Sequence, residues 1–184
     1  KDGDKILDIG CAKGFMLYDF KNANSKFEVE GIDISDYAIK NAKPETIVTT
    51  PSTASIKALK KLDISKVAIF TPYSKKLNDE VLDFFRKEKF EITANAYFNI
   101  ESDIDIGKVD SNHLFETLSK MDLNGADALF ISCTALPALS IIEMLEKKLN
   151  KTVLSSNQTL IWDTLNSINN KEPVKGFGKI FEVI

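Results

Sequence analysis

The sequence predicts an α/β fold built on parallel strands, and three observations carry that expectation. Seven short apolar runs recur along the 184 residues: "KILDIG", "FEVEGIDI", "TIVTT", "KVAIFT", "FEITANAYF", "ADALFIS" and "KTVLSS". Amphipathic segments with helical spacing separate them. The runs are nearly continuous in apolar residues instead of alternating, as strands buried on both faces of a helix-covered parallel sheet must be. With 43% hydrophobic and 28% charged residues, the composition is that of an ordinary globular protein.

The first two strands flank "DIGCAKG", Asp8 to Gly14. Strand, glycine turn, helix and a second strand ending in an acid make a nucleoside-binding arrangement. Gly10 and Gly14 let the backbone turn sharply and approach a ligand, and Asp33 follows the second strand where a carboxylate can accept from ribose hydroxyls. A glycine turn that merely joins strand to helix is the plain alternative. On these residues, 5–42 resemble the opening of class I S-adenosylmethionine-dependent methyltransferases. The resemblance implies loop roles for Gly10 and Gly14, methionine-side contacts for Asp8 and ribose binding for Asp33, with S-adenosylmethionine as cofactor. Ala12 replaces the middle glycine of that motif, and the family's continuation is not found after Ala42.

"NAKPETIVTTP", with Pro44 and Pro51, is the expected junction. It divides the chain into 1–45, a truncated nucleoside-binding start, and 46–184. In "LNDEVLDFFRKEK", Leu77, Val81, Phe84 and Phe85 share a helix face, with Asn78, Asp79, Asp83 and Arg86 elsewhere. The acidic "NIESDIDIGKVDSN" reads as a long loop, and His113 in "DSNHLFETL" as part of the first turns of a helix. "ALPALSIIEMLEKKLN" reads as a helix starting near Pro137. Its stripe is Ile141, Ile142, Leu145 and Leu149, and Glu143, Glu146, Lys147 and Lys148 form its wet side. In "SSNQ", Ser156 or Asn157 is expected to cap the last helix, in which Trp162 and Leu165 pack.

Cys133 follows the buried run "ALFIS", at the carboxyl end of a strand, where ligands bind in parallel α/β sheets. A helix N-terminus just beyond it would favour a thiolate and hold a carboxylate. That position suits acid–base or nucleophilic work; a buried structural cysteine fits it too. Tyr73 ends another strand, in "FTPY", where its hydroxyl can donate to a carboxylate or an enediolate. Asn78 either caps a helix or faces solvent.

Residues 46–184 resemble the second half of maleate cis-trans isomerases and arylmalonate decarboxylases, in the aspartate/glutamate racemase superfamily. The stretches that carry this are "TTPSTASIKAL", "KVAIFTPYSKKLNDEVLDFF", "ADALFISCTALPALSIIEMLEKKLNKTVLSSNQTLIWDTL" and "GFGKIFE". The resemblance implies a cofactor-independent isomerase or decarboxylase of small dicarboxylates, in which two α/β lobes enclose the substrate. Cys133 would be the second-lobe acid/base thiol, and Tyr73, a Thr134 backbone N–H and Asn157 would bind substrate. The first lobe's own Cys-Thr or Gly-Thr-Ser turn is not found in 46–184, so both family folds are expected to be incomplete and the activity impaired. The alternatives are an S-adenosylmethionine-binding methyltransferase-type protein and an inactive chimera of two gene fragments. A homo-oligomer in which a second copy completes the site is compatible with the sequence.

Interspersed charges, netting −3, give no reason to expect nucleic acid or an anionic membrane as partner. No apolar run is long enough to span a bilayer. The start, "KDGDKILDIG", enters a strand abruptly without a signal peptide, as a fragment beginning at its first strand would, and the end reads as a natural C-terminus. Two cysteines, Cys11 and Cys133, make no disulfide framework, so the cytoplasm is the expected compartment. The single histidine argues against a His-based metal site or a Ser-His-Asp triad, and no metal is expected.

Overall fold

Each of the apolar runs forms a strand, and every pairing between them is parallel. A computed structural model describes residues 5–9, 28–32, 48–170, 172 and 174–183. The chain divides into two compact units, Lys1–Thr53 and Ala54–Ile184. In the first, β1 (Lys5–Ile9), β2 (Glu28–Ile32) and β3 (Val48–Thr49) form a sheet in the order β1-β2-β3, with Asp8 opposite Gly31. Gly10, Cys11, Gly14 and Asp33 lie outside the described residues.

The second unit holds β4 (Lys66–Thr71), β5 (Glu91–Tyr97), β6 (Ala128–Ile131) and β7 (Thr152–Ser155), in the order β5-β4-β6-β7. Its helices are α1 (Pro51–Lys61), which starts at the division, α2 (Lys75–Lys87), α3 (Asp103–Ile106), α4 (Ser111–Leu118), α5 (Ile142–Leu149) and α6 (Ser156–Ser167). Pro51 occupies the first turn of α1, where its missing N–H costs nothing, and Thr50 Oγ1 accepts the Thr53 N–H at 3.0 Å.

Alternate residues of the central strands face opposite ways and build two cores. On one face Val67, Ile69, Phe130 and Leu154 pack with Leu59 of α1, Phe85 of α2, Trp162 of α6, and Ile180 and Phe181 near the C-terminus. On the other, Ala68, Phe70, Leu129, Ile131 and Val153 meet Ile106, Leu114, Leu118, Ile142 and Leu145. Trp162 and Leu165 pack as expected. His113 lies in the first turns of α4, its ring stacked on Phe98 with centroids 5.7 Å apart.

Four expectations need correction. The acidic stretch is not all loop: Ser102 Oγ accepts the Asp105 N–H and starts the single turn α3. No α-helix begins at Pro137; a loop and a 3-10 turn (Leu139–Ile141) precede α5. Asn78 neither caps nor faces solvent. It is buried and exchanges amide hydrogen bonds with Asn95 (2.9 and 3.1 Å) while accepting from Thr71 Oγ1 (2.9 Å). Glu146 is not on a wet face but buried, because backbone donors from two distant segments converge on its carboxylate.

Those donors define how β7 is finished at the sheet edge. On the side away from β6, the Val153 N–H donates to Glu146 Oε1 (3.1 Å) and the Ser155 N–H to Gln158 Oε1 (3.1 Å). The same two side chains hold the C-terminal strap. Glu146 Oε2 accepts the Lys179 N–H at 3.1 Å, and Gln158 Nε2 donates to the Phe177 carbonyl. Gly178 lies between, at φ +92°, and a Cβ there would sit 2.7 Å from both Gln158 Nε2 and Ile142 Cγ2.

Gly178→Ala should therefore cost about 1–3 kcal/mol, through overpacking and an unfavourable φ; an unchanged melting temperature would contradict the close approach. Burial pushes the Glu146 carboxyl above its ordinary range, against the opposing pull of the Val153 and Lys179 N–H groups. A raised folded-state value favours the fold most at low pH, and that contribution is lost as pH rises through it. Glu146→Gln, which keeps an acceptor oxygen, should accordingly gain on the wild type as pH goes from acid to neutral. Glu146→Ala should lose about 2–3 kcal/mol by orphaning buried donors. Thermal melts across that pH range separate the two variants.

Candidate active site

Parallel pairing puts the carboxyl ends of β4, β6 and β7, which are neighbours in the sheet, on one edge. Tyr73 follows β4, Cys133 follows β6, and Ser156 and Asn157 follow β7. The predicted residues of the second unit are thereby brought together, each on the first residues after its strand.

Tyr73 is held by its backbone. The segment after β5 continues alongside β4, so that the Tyr73 carbonyl accepts the Asn99 N–H (3.1 Å) and the Pro72 carbonyl the Ile100 N–H (2.8 Å). Its half-buried side chain lies beside the Cys133 thiol. Burial, that sulfur and the nearby negative charge of Asp103 push the phenol well above its ordinary value. The hydroxyl is therefore a donor throughout the neutral range.

Cys133 is 5% exposed. Its N–H donates to Ser156 Oγ at 3.2 Å, and its Sγ accepts the Ala135 N–H at 3.3 Å. The Thr134 carbonyl accepts from Asn157 Nδ2 at 2.9 Å. The Thr134 N–H itself has no protein acceptor among the described residues. A helix N-terminus does stand beside the cysteine turn, but it belongs to α6 and not to α5. Ser155, rather than Ser156 or Asn157, caps α6. Its Oγ accepts the Gln158 N–H (3.3 Å) while Gln158 reaches back to the Ser155 N–H, a reciprocal capping box.

The capping box releases Ser156 and Asn157 for the cysteine turn, so Asn157 contacts Thr134 by its side chain. Ser156 is the site residue that sequence reasoning assigned elsewhere. The signal was present in "SSNQ", where a serine three residues before Gln158 satisfies the capping-box pattern and leaves the second serine free. Asp103 was also missed, because it belongs to the single turn α3. Among the described residues no group of His, Cys, Asp and Glu is arranged to hold a metal ion, and no helix is long and apolar enough to cross a membrane.

Chemically, the cluster offers a sulfur that accepts the Ala135 N–H, with the Tyr73 side chain and the open Thr134 N–H beside it. Such a group can stabilise a thiolate, deliver a proton from sulfur, and bind an anionic oxygen.

The chain is similar to several known proteins. A maleate isomerase from Geobacillus stearothermophilus is 28% identical over 134 residues, covering 72% of this chain and 53% of that protein. The chain thus spans about half the length of the sequence relatives it matches. Among solved structures, the maleate isomerase Iso from Pseudomonas putida S16, in a variant with maleate, superposes with a TM-score of 0.76 at 17% identity, over 97% of each chain. A Nocardia farcinica maleate cis-trans isomerase variant with a covalently bound succinylcysteine intermediate gives 0.75 at 15% identity, over 97% of this chain and 98% of that one. At these identities the likeness is one of fold. The methyltransferase resemblance of residues 5–42, and with it the S-adenosylmethionine assignment, gains no support from these matches. The family model described as arylmalonate decarboxylase matches residues 37–181. With that model covering most of its length, the chain belongs to the arylmalonate decarboxylase family.

Proposed function

We propose that this chain carries the cysteine half-site of a cofactor-independent isomerase or decarboxylase acting on small dicarboxylates. The observation that carries the reading is the Cys133 thiol, which accepts the Ala135 N–H and stands beside Tyr73 at the carboxyl ends of adjacent parallel strands. Cys133 acts on carbon. Tyr73 and the open Thr134 N–H bind a substrate carboxylate, and Asn157 stands at their side.

Two related reactions fit. In isomerisation a first-lobe cysteine, as its thiolate, adds to one alkene carbon, and the electron pair of the double bond moves onto the neighbouring carboxylate as an enediolate. The Cys133 S–H protonates that enediolate on carbon, the new single bond rotates, and the Cys133 thiolate then takes a proton back from that carbon as the adding sulfur leaves and the alkene is restored. The covalent succinylcysteine described for the Nocardia variant, formed with another cysteine replaced by serine, supports an adduct on one cysteine while a second handles the proton. In decarboxylation the bond to one carboxylate breaks, CO2 leaves, and the electron pair stays behind as an enediolate. The Cys133 S–H then protonates the carbon. In both reactions negative charge develops on carboxylate oxygens, where a hydroxyl held in its protonated form is the suitable donor.

Activity is expected to be impaired. Among the described residues, none gathered around Cys133 is a donor of the kind that a first lobe supplies in the resembled enzymes, and each missing donor costs roughly 3–4 kcal/mol of transition-state stabilisation.

Maleate and a 2-arylmalonate should be converted slowly by concentrated protein, followed by proton NMR, and Cys133→Ala should abolish conversion. Absence of turnover of either compound, or turnover that survives Cys133→Ala, would overturn the reading. Tyr73→Phe should lower kcat by about 10²-fold with little change in melting temperature, as loss of one charge-stabilising donor does; an unaltered kcat would remove Tyr73 from the site.

A further inference from the structure

We propose that Ser156 and Asn157, the first two residues of α6, are positioning residues that set the orientation of the Cys133 turn. The proposal rests on the reading of Cys133 as the working thiol, and it assigns Asn157 a holding role instead of direct substrate contact.

The turn contains three consecutive peptide units. The first carries the Cys133 N–H, which Ser156 Oγ accepts at 3.2 Å. The third carries the Thr134 carbonyl, held by Asn157 Nδ2 at 2.9 Å, and the Ala135 N–H, which points at Cys133 Sγ at 3.3 Å. That unit is thus tied at both ends, and the tie to Asn157 aims its N–H at sulfur. With its neighbours fixed, the planar middle unit, bearing the Thr134 N–H, can reorient only through a coupled change in Cys133 ψ and Thr134 φ. It is this middle unit whose N–H has no protein acceptor among the described residues. Two side chains from one helical turn therefore fix the outer units and present the middle one. Neither needs to touch a reacting atom.

Their own placement is rigid. Ser156 is 5% exposed, and the reciprocal bonds of Ser155 and Gln158 set the start of the helix. Asn157 is only half-buried, so its replacement leaves the core intact.

The test is the pH dependence of Cys133 alkylation by iodoacetamide, on the full chain with Cys11→Ser so that one thiol reports. Asn157→Ala should slow alkylation roughly five- to tenfold at neutral pH and displace the profile to higher pH, because the Ala135 N–H no longer faces sulfur. Ser156→Ala should act in the same direction, and Ser156→Thr, which keeps the hydroxyl, should restore the parent profile. Circular dichroism melts identify a variant that has lost its fold. If Ser156→Ala unfolds, the surface-side Asn157→Ala still decides. A folded Asn157→Ala with an unshifted profile would overturn the proposal. Alkylation needs no turnover, so a chain that converts neither maleate nor arylmalonate overturns the functional reading while leaving this result to stand or fall by itself.

Discussion

Parallel pairing of strands buried on both faces is the constraint on which the second unit depends. Strands that run the same way must be joined by crossovers, and the crossovers cover the sheet with helices. The same rule brings every strand out at one edge. Tyr73, Cys133 and Ser156 are separated by up to 83 positions in the chain, yet they meet because β4, β6 and β7 lie side by side and point together. No long-range side-chain pairing has to assemble the site; the backbone ladder does it first. Burial follows from the same geometry, since alternate residues of one strand supply two different cores.

What the sequence made legible divides along this line. Strands are marked by local composition, and all of the runs were readable; of the predicted α2 face, Val81, Phe84 and Phe85 pack in the core while Leu77 is exposed. Cys133 and Tyr73 were readable because each sits just after its own strand. The misreadings have a common physical cause. Asn78 and Glu146 occupy helix positions that a periodicity argument gives to solvent, yet both are buried, because their partners come from elsewhere in the chain. Asn95 and Thr71 satisfy the first, and the Val153 and Lys179 backbones the second. A polar residue buried by remote hydrogen bonds leaves no trace in the spacing of its neighbours. Pro137 misled for a different reason. A proline suits a first helical turn, but here it lies in the loop between Cys133 and the 3-10 turn, and the helix N-terminus beside the thiol arrives on the next crossover.

The glycine-rich "DIGCAKG" illustrates the limit of local pattern. Its nucleoside-binding spacing is genuine, and β1 and β2 do pair in parallel. Strand, turn and strand with an acid are nevertheless shared by many α/β proteins, and function resides in the site and not in the fold. The family match from residue 37 onward directs attention to the second cysteine, where hydrogen-bonded partners converge.

The finishing of β7 has one more consequence. Open strand edges present rows of unpaired N–H and carbonyl groups that invite other chains. On β7, the outward N–H groups of Val153 and Ser155 are occupied by side chains that also grip the strap. An incoming strand would have to displace Glu146 and Gln158 together, and with them the strap whose Ile180 and Phe181 fill the core. At the opposite margin, β5 is half-exposed along much of its length. Among the described residues, then, the β7 margin of the sheet is closed by side chains that a competing strand would have to displace together with the strap.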